Sequence, residues 1–379
     1  MPGEEPAADN HPCRAFMLEA IRLSRNGFGR TAPNPCVGAV LVRDGNILAR
    51  GWHEACGERH AERAALDDAA QKGLDPSGCT LVVTLEPCAH YGRTPPCTEA
   101  ILEAGIRHVV IGARERHTPA AGGAEILRRA GLLVECGIAA RECLDNIADF
   151  LLFQHGSRPY VLLKLASTLD GRIAARNGAE QRFSSPETLE YVHWLRGRVQ
   201  AVLVGGNTFY ADNPRLTARP GGVPGESQPL AVVVTTRLPV KTFSFCLLRE
   251  RPGGTIFLTS LEASRSRAAL DLRSGGVAVH GLEAEAGGLC LEQGLEILRR
   301  EYGCFYVLCE GGGKLGLSLL QKRLADELLL HLSPRILGDN QAKPVFDGRE
   351  PQHMDAALRL RLISGETRGG DLCLRFMPE

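Results

Sequence analysis

Four residues in the first hundred have the types and spacing for hydrolytic metal chemistry: His60, Glu62, Cys88 and Cys97. One imidazole and two thiolates supply three zinc ligands. Zinc prefers four in a tetrahedron, so one position stays open for a water, whose pKa the metal lowers towards neutrality. Glu62 stands two residues beyond the ligand histidine. Its carboxylate can reach that water without binding the metal, take the proton and pass it to a leaving amine. A structural zinc knuckle would want four protein ligands, against three here.

These residues need a scaffold, and the hydrophobic pattern supplies one. Residues 12–26, punctuated by Phe16, Ile21 and Leu23, predict a helix, and 37–42 and 47–51 predict a hairpin turning at Asp44-Gly45. Residues 60–72 predict a helix, 79–85 a buried strand and 97–104 a second helix, followed by a strand at 109–112 and a helix at 124–130. Alternating strands and helices imply an α/β sheet covered by helices, with zinc ligands near two helix N-termini. The positive ends of those helices favour thiolate over thiol, which suits Cys88 and Cys97 as ligands.

At 379 residues the chain is too long for one ordinary core. The pattern changes around residues 150–159, with 154–159 as a linker, so we expect one domain over residues 1–152 and another over 159–379. The second domain has predicted strands at 160–166, 201–204, 230–234, 255–258, 305–309 and 328–332, and helices near 186–198 and 314–324. The Pro/Gly-rich stretch 219–229 reads as a mobile loop. Gly311-Gly312-Gly313, between a strand and a helix, lets the backbone approach a phosphate at the helix N-terminus.

Composition excludes several function classes. Lys plus Arg number 44, as do Asp plus Glu, and without a basic block the chain lacks the electrostatic footprint of a nucleic-acid binder. Residues 1–10 carry no apolar signal-peptide stretch, and no later run approaches the roughly 20 residues needed to span a bilayer, so a cytoplasmic protein without membrane contact is expected. Thirteen scattered cysteines, an odd number, suit buried thiols in a reducing compartment better than a disulfide framework.

The spacing is also similar to the H-x-E…P-C-x-x-C signature of zinc nucleobase deaminases, except that eight residues separate Cys88 from Cys97. Those eight make the likeness specific. Thr84-Leu85-Glu86-Pro87-Cys88, continuing through Gly92-Arg93-Thr94-Pro95-Pro96 to Cys97, resembles the bifunctional riboflavin-biosynthesis deaminase/reductase family. Pro33-Asn34-Pro35-Cys36-Val37-Gly38 and Gly51-Trp52-His53 match its earlier motifs. In the second half, Lys164-Leu165-Ala166-Ser167-Thr168-Leu169-Asp170-Gly171 matches. So do Thr208-Phe209-Tyr210-Ala211-Asp212-Asn213-Pro214, Leu216-Thr217-Ala218-Arg219 and Cys309-Glu310-Gly311-Gly312-Gly313. The likeness covers nearly the whole chain.

The resemblance implies an N-terminal cytidine-deaminase-like zinc domain and a C-terminal dihydrofolate-reductase-like domain. It implies Zn2+ and NADPH as cofactors and two reactions on a phosphorylated pyrimidine, with a homo-oligomer expected. The first reaction is hydrolysis of the 2-amino group of a diaminopyrimidinone ribosyl phosphate, and the second is reduction of its ribosyl to a ribityl chain. Carried over residue by residue, Asn34 and His53 line the pyrimidine pocket, and Arg196, Leu216 and Arg219 hold substrate. Lys164, Asp212 and Glu310 handle the ribose and orient the carbon that accepts hydride. Ala166, Arg182, Ser184, Thr208, Asp212, Thr236, Gly312, Gly313, Lys314, Leu315, Gly316, Leu317 and Ser318 border NADPH.

Departures from the pattern cluster. Glu180 and Arg182 stand where the family has a phosphate-binding Ser and a Trp beside the cofactor, Thr235-Thr236 replaces an Asp-Ser pair, and Arg114-Glu115-Arg116-His117-Thr118-Pro119 replaces Asp-Pro-Asn-Pro. They raise one rival, a specialised paralogue with an active nucleotide deaminase and a weakened or repurposed reductase. A second rival, a non-catalytic zinc sensor, is opposed by an intact Glu62.

Overall fold

The structure, a computed structural model, describes residues 10–91, 95–115, 120–176, 183–225, 227–240, 244–348 and 353–379. The chain divides into two compact units between His155 and Gly156.

In the first unit, α1 (Arg14–Ser24) precedes the hairpin of β1 (Gly38–Arg43) and β2 (Asn46–Trp52). Asp44 and Gly45 both take positive φ, at 50° and 73°, as a two-residue hairpin turn matched to the strand twist requires. Then come α2 (Ala61–Gln71), β3 (Thr80–Leu85), α3 (Cys97–Glu103), β4 (His108–Ala113), α4 (Gly123–Arg129), β5 (Leu133–Cys136), α5 (Ala140–Asn146) and α6 (Ala148–His155). The sheet runs β2-β1-β3-β4-β5, with β3, β4 and β5 parallel. Both faces are buried, as covered parallel strands require. Leu81, Val83 and Ile111 pack with Ala65, Ile101 and Leu127 of the helices on one side, while Val82 and Val110 pack with Met17 and Ile147 on the other.

The three elements from β5 to α6 are absent from the sequence reading, because their apolar runs are short and α6 is nearly uniform around its circumference. Helix α6 also takes Gln154 and His155, which were expected to lie in a linker.

The second unit contains β6 (Tyr160–Thr168), β7 (Arg172–Ala174), β8 (Ala201–Gly205), β9 (Leu230–Val234), β10 (Thr255–Ser260) and β11 (Ala278–Leu282). The two-residue strands β12 (Ala284–Glu285) and β13 (Gly288–Leu289) form a small ribbon. They are followed by β14 (Tyr306–Cys309), β15 (Glu327–Ser333), β16 (Lys343–Pro344), β17 (Leu360–Arg368) and β18 (Asp371–Pro378). Nine strands form one sheet, β11-β10-β9-β8-β14-β6-β15-β18-β17, parallel except for the hairpin β17–β18 at one edge. Alternation along β6 sends Val161, Leu163 and Leu165 into the core and leaves Leu162, Lys164 and Ala166 on the opposite face. Helix Gly313–Gln321 covers the core face through Leu319 and Leu320. On the opposite face α7 (Pro186–Arg196) stacks Tyr191 near His331.

The stretch expected as a mobile loop is cross-tied. The Gln228 amide accepts from Ala218 N at 2.9 Å and donates to the carbonyls of Ala218 and Gly225, both at 2.9 Å, because a proline- and glycine-rich turn still has backbone groups to satisfy. Glu226 lies outside the described residues.

Candidate functional sites

The first site forms where chain-distant ends meet. His60 is the N-cap of α2, Glu62 lies in that helix's first turn, Cys97 opens α3, and Cys88 lies three residues past the end of β3. The His60 Nδ1 lies 3.3 Å from Cys97 Sγ and 3.5 Å from Cys88 Sγ, and all three ligand atoms fall within 4.8 Å of one another. Zinc bonds of about 2.3 Å to sulfur and 2.0 Å to nitrogen put tetrahedral ligand atoms roughly 3.5–3.8 Å apart, so this donor set fits the ion. The Cys97 amide at the start of α3 donates to Cys88 Sγ at 3.3 Å. Hydrogen bonds from Cys97 and His60 lower the Cys88 thiol from its ordinary value, the direction that favours the thiolate ligation needs.

Glu62 is outside the ligand set and only 3% exposed; burial pushes its carboxyl up, the direction a proton carrier needs. Asn34 and His53 meet across the pocket, Asn34 Nδ2 to His53 Nε2 at 3.4 Å, and His53 Nδ1 lies 2.9 Å from the Arg59 carbonyl. Burial lowers the His53 pKa, favouring the neutral ring. A cavity of about 490 Å³ opens over these groups, walled by Leu85 and Phe150 with Glu115 and Gln154 among its polar lining. It is large enough for a nucleotide-sized ligand.

The second site lies on the helix α7 face of the large sheet. Glu310, just past β14, takes a two-pronged contact from Arg196 at the end of α7: Nε donates to Oε1 at 2.6 Å and Nη2 to Oε2 at 2.8 Å. Both side chains are 14% exposed. Burial alone would raise the Glu310 carboxyl, and the Arg196 guanidinium more than offsets it, holding the carboxyl below its ordinary value. Lys164, one strand across, is pulled down by burial and by Arg196, with Glu310 opposing. The fork expected to hold substrate is therefore committed to a carboxylate.

Other expected residues are spread more widely. Helix α8 (Gly206–Asp212) presents Thr208 near Gly312, where an added Cβ would meet only the Thr208 hydroxyl, at 3.9 Å. Gly312 caps helix Gly313–Gln321 with no side-chain hydrogen bond, so its first-turn amides are available to a phosphate, and Lys314 at the rim is exposed. Gly313 has a packing reason as well, since a Cβ there would lie 2.6 Å from the Val345 carbonyl. Gly316 and Leu317 turn towards the sheet, and Leu315 and Ser318 are partly buried. Asp212 and Thr236 are exposed, Ala166 and Ser184 are partly buried, and Leu216 is buried with φ 51°, so it can offer only backbone. Arg219 donates to the Thr217 hydroxyl. Arg182, with Glu180, lies outside the described residues, as do residues 116–119.

The structure also assigns residues that the motifs alone left without roles. Glu86, inside the Leu-Glu-Pro-Cys stretch, accepts from Ala124 N at 2.9 Å and Glu115 N at 3.1 Å, tying the start of α4 to the metal loop. Asp170 accepts from Leu337 N and Gly338 N, at 3.1 and 2.8 Å, and from Thr168 Oγ1, contacts that hold it down at about 2. Its place in a Leu-Asp-Gly motif gave no hint that it clamps a loop more than 160 residues away.

Comparison with known proteins agrees with this geometry. Residues 11–113 match the cytidine and deoxycytidylate deaminase zinc-binding region, and residues 159–374, more than half of the chain, match the RibD C-terminal domain. The riboflavin biosynthesis protein RibD of Aquifex aeolicus is 36% identical over 362 residues, covering 95% of this chain and 97% of that protein. The chain belongs to the RibD family. The Escherichia coli RibD is 34% identical over 370 residues, covering 92% of this chain and 98% of its own. A solved Thermotoga maritima diaminohydroxyphosphoribosylaminopyrimidine deaminase/5-amino-6-(5-phosphoribosylamino)uracil reductase superposes with a TM-score of 0.72 at 34% identity, covering 97% of this chain and 99% of that one.

As a RibD family member, the protein is a bifunctional deaminase/reductase of riboflavin biosynthesis, with a zinc-binding deaminase domain and a reductase domain that uses a nicotinamide cofactor. The mixed α/β architecture expected from the resemblance is the one observed. Nothing found favours the paralogue reading, whose main carriers, Glu180 and Arg182, are not among the described residues. No described helix is long and apolar enough to cross a membrane.

Proposed function

We propose that the first unit hydrolyses the 2-amino group of a diaminopyrimidinone ribosyl phosphate and that the second reduces the ribosyl group of the product with NADPH. The observation that carries the first half is the His60, Cys88 and Cys97 triad beside buried Glu62 in a cavity of nucleotide size. Zinc bound there supplies an activated water near neutral pH. Asn34 and His53 orient the ring, Phe150 and Leu85 keep bulk water off it, and Glu62 carries the proton to the departing ammonia.

In the second unit, NADPH supplies the hydride. Free amides at the start of helix Gly313–Gln321 and the open side of Gly312 fit its phosphates. Lys164 and Glu310 orient the sugar, and Asp212 at the end of α8 and Arg219 in the loop after it reach it. None of the thirteen cysteines is in a disulfide, which supports action in the cytoplasm.

Purified enzyme given the diaminopyrimidinone ribosyl phosphate should release ammonia and then oxidise NADPH in stoichiometric amount, with NADH a poorer donor. Ammonia release without any later NADPH oxidation would favour the paralogue reading.

A further inference from the structure

His331 is not among the residues assigned to either site, yet its surroundings give it a role. It lies on β15, whose parallel register with β6 places Leu329 opposite Lys164 and His331 opposite Ala166. Side chains two apart on a strand share a face, so His331 stands on the Lys164 face, one residue pair nearer the C-terminal strand ends where α/β sheets bind ligands. It is 2% exposed, and its Nδ1 is sealed from solvent without a hydrogen-bond partner among the described residues. Buried imidazole nitrogens are nearly always satisfied, and one left open beside a binding face points to a partner that arrives with the ligand. Lys164 and Ala166 next to it are both partly open.

The neighbours define the chemistry. Tyr191 of α7 packs its ring 6.0 Å away, Cys373 of β18 is the cross-strand partner, and Lys164, Arg368 and Glu310 are the charges within range. Burial, then Lys164 and Arg368, pushes the imidazole down to about 3, so it is neutral wherever the enzyme works. A neutral imidazole offers one N–H and one lone pair, suited to a sugar hydroxyl. The phosphate cradle at Gly312 belongs to the β8–β14 crevice, and β15 is two strands beyond β14, roughly 10 Å away at the usual strand spacing. That separation assigns His331 to substrate rather than to the cofactor phosphates.

We propose that His331 is a positioning residue of the reductase site, whose uncharged ring hydrogen-bonds a hydroxyl of the ribosyl chain beside Lys164 and Glu310. This rests on the reading of that face as the reductase site. Steady-state reduction by the holoenzyme, with the deaminated pyrimidine ribosyl phosphate and NADPH as probes, tests it. His331→Phe should raise the substrate KM roughly tenfold, the loss of one hydrogen bond, while the KM for NADPH stays within about twofold. His331→Gln, which restores a donor and an acceptor, should recover most of the loss. An unchanged substrate KM in His331→Phe, an equal defect in His331→Gln, or a defect falling on NADPH overturns the inference. Should His331→Phe not fold, His331→Leu carries the same comparison. If Lys164→Met and Glu310→Gln also leave reduction intact, the reading of the whole face fails; if those two abolish it while His331→Phe is silent, only the role of His331 fails.

Discussion

The two sites differ in how their polar groups are satisfied before any ligand arrives. In the deaminase unit, a histidine and two thiols converge with no opposing cation in the set, and a cavity stands open above them. On the reductase face, Arg196 and Glu310 satisfy each other, and Lys164 is held beside them. The first arrangement is incomplete without a metal. In the second the Arg196–Glu310 pair is already made while His331 Nδ1 stays open among the described residues, so a ligand must compete with an internal ion pair or bind around it. Single changes should therefore abolish catalysis by the first, whereas the second should behave as a coupled set.

Breaking the metal site should have the largest effect. Cys97→Ser should lose most bound zinc by metal analysis and abolish ammonia release, while NADPH oxidation with pre-deaminated substrate persists. Undiminished zinc and deamination in that variant would end the three-ligand assignment. Glu62→Gln sharpens the same point: zinc content should stay at one per chain while ammonia release falls roughly 10²–10⁴-fold, because an amide cannot carry the proton.

Breaking the reductase pair should show in stability as well as rate. Arg196→Met leaves Glu310 buried without its two-pronged partner and with Lys164 as the remaining cation beside it, a loss of up to about 3–5 kcal/mol in denaturant unfolding of that unit. The Arg196→Met, Glu310→Leu double variant should recover part of it, since an apolar pair leaves no buried charge. Additive losses would mean that the two residues act separately.

The smallest effect is a pH dependence. The Glu310 carboxyl is held below its ordinary value, so its pairing contributes fully above the unfolded pKa of about 4.3 and is lost as pH falls through the depressed folded value. Acid unfolding of the second unit should therefore shift to higher pH in Arg196→Met, where that stabilisation is gone. An unshifted acid transition would show that the pair does not set it.

The primary sequence determined the chemistry of the first site, because zinc ligation is read from residue type and short spacing: His60, Glu62, Cys88 and Cys97 lie within a span of 38 residues. It also determined the strongly marked elements, such as β3, a nearly continuous apolar run, and α2, whose apolar residues recur at the helix period. The short β5 and the exposed, mostly polar β17 carry too little periodic signal to be seen. Tertiary structure alone decided that Arg196 faces Glu310, 114 residues away, that Glu86 ties α4 to the metal loop, and that His331 joins Lys164 on one face. Strand register and sheet order make those meetings, and neither is encoded in the local spacing of the residues that meet.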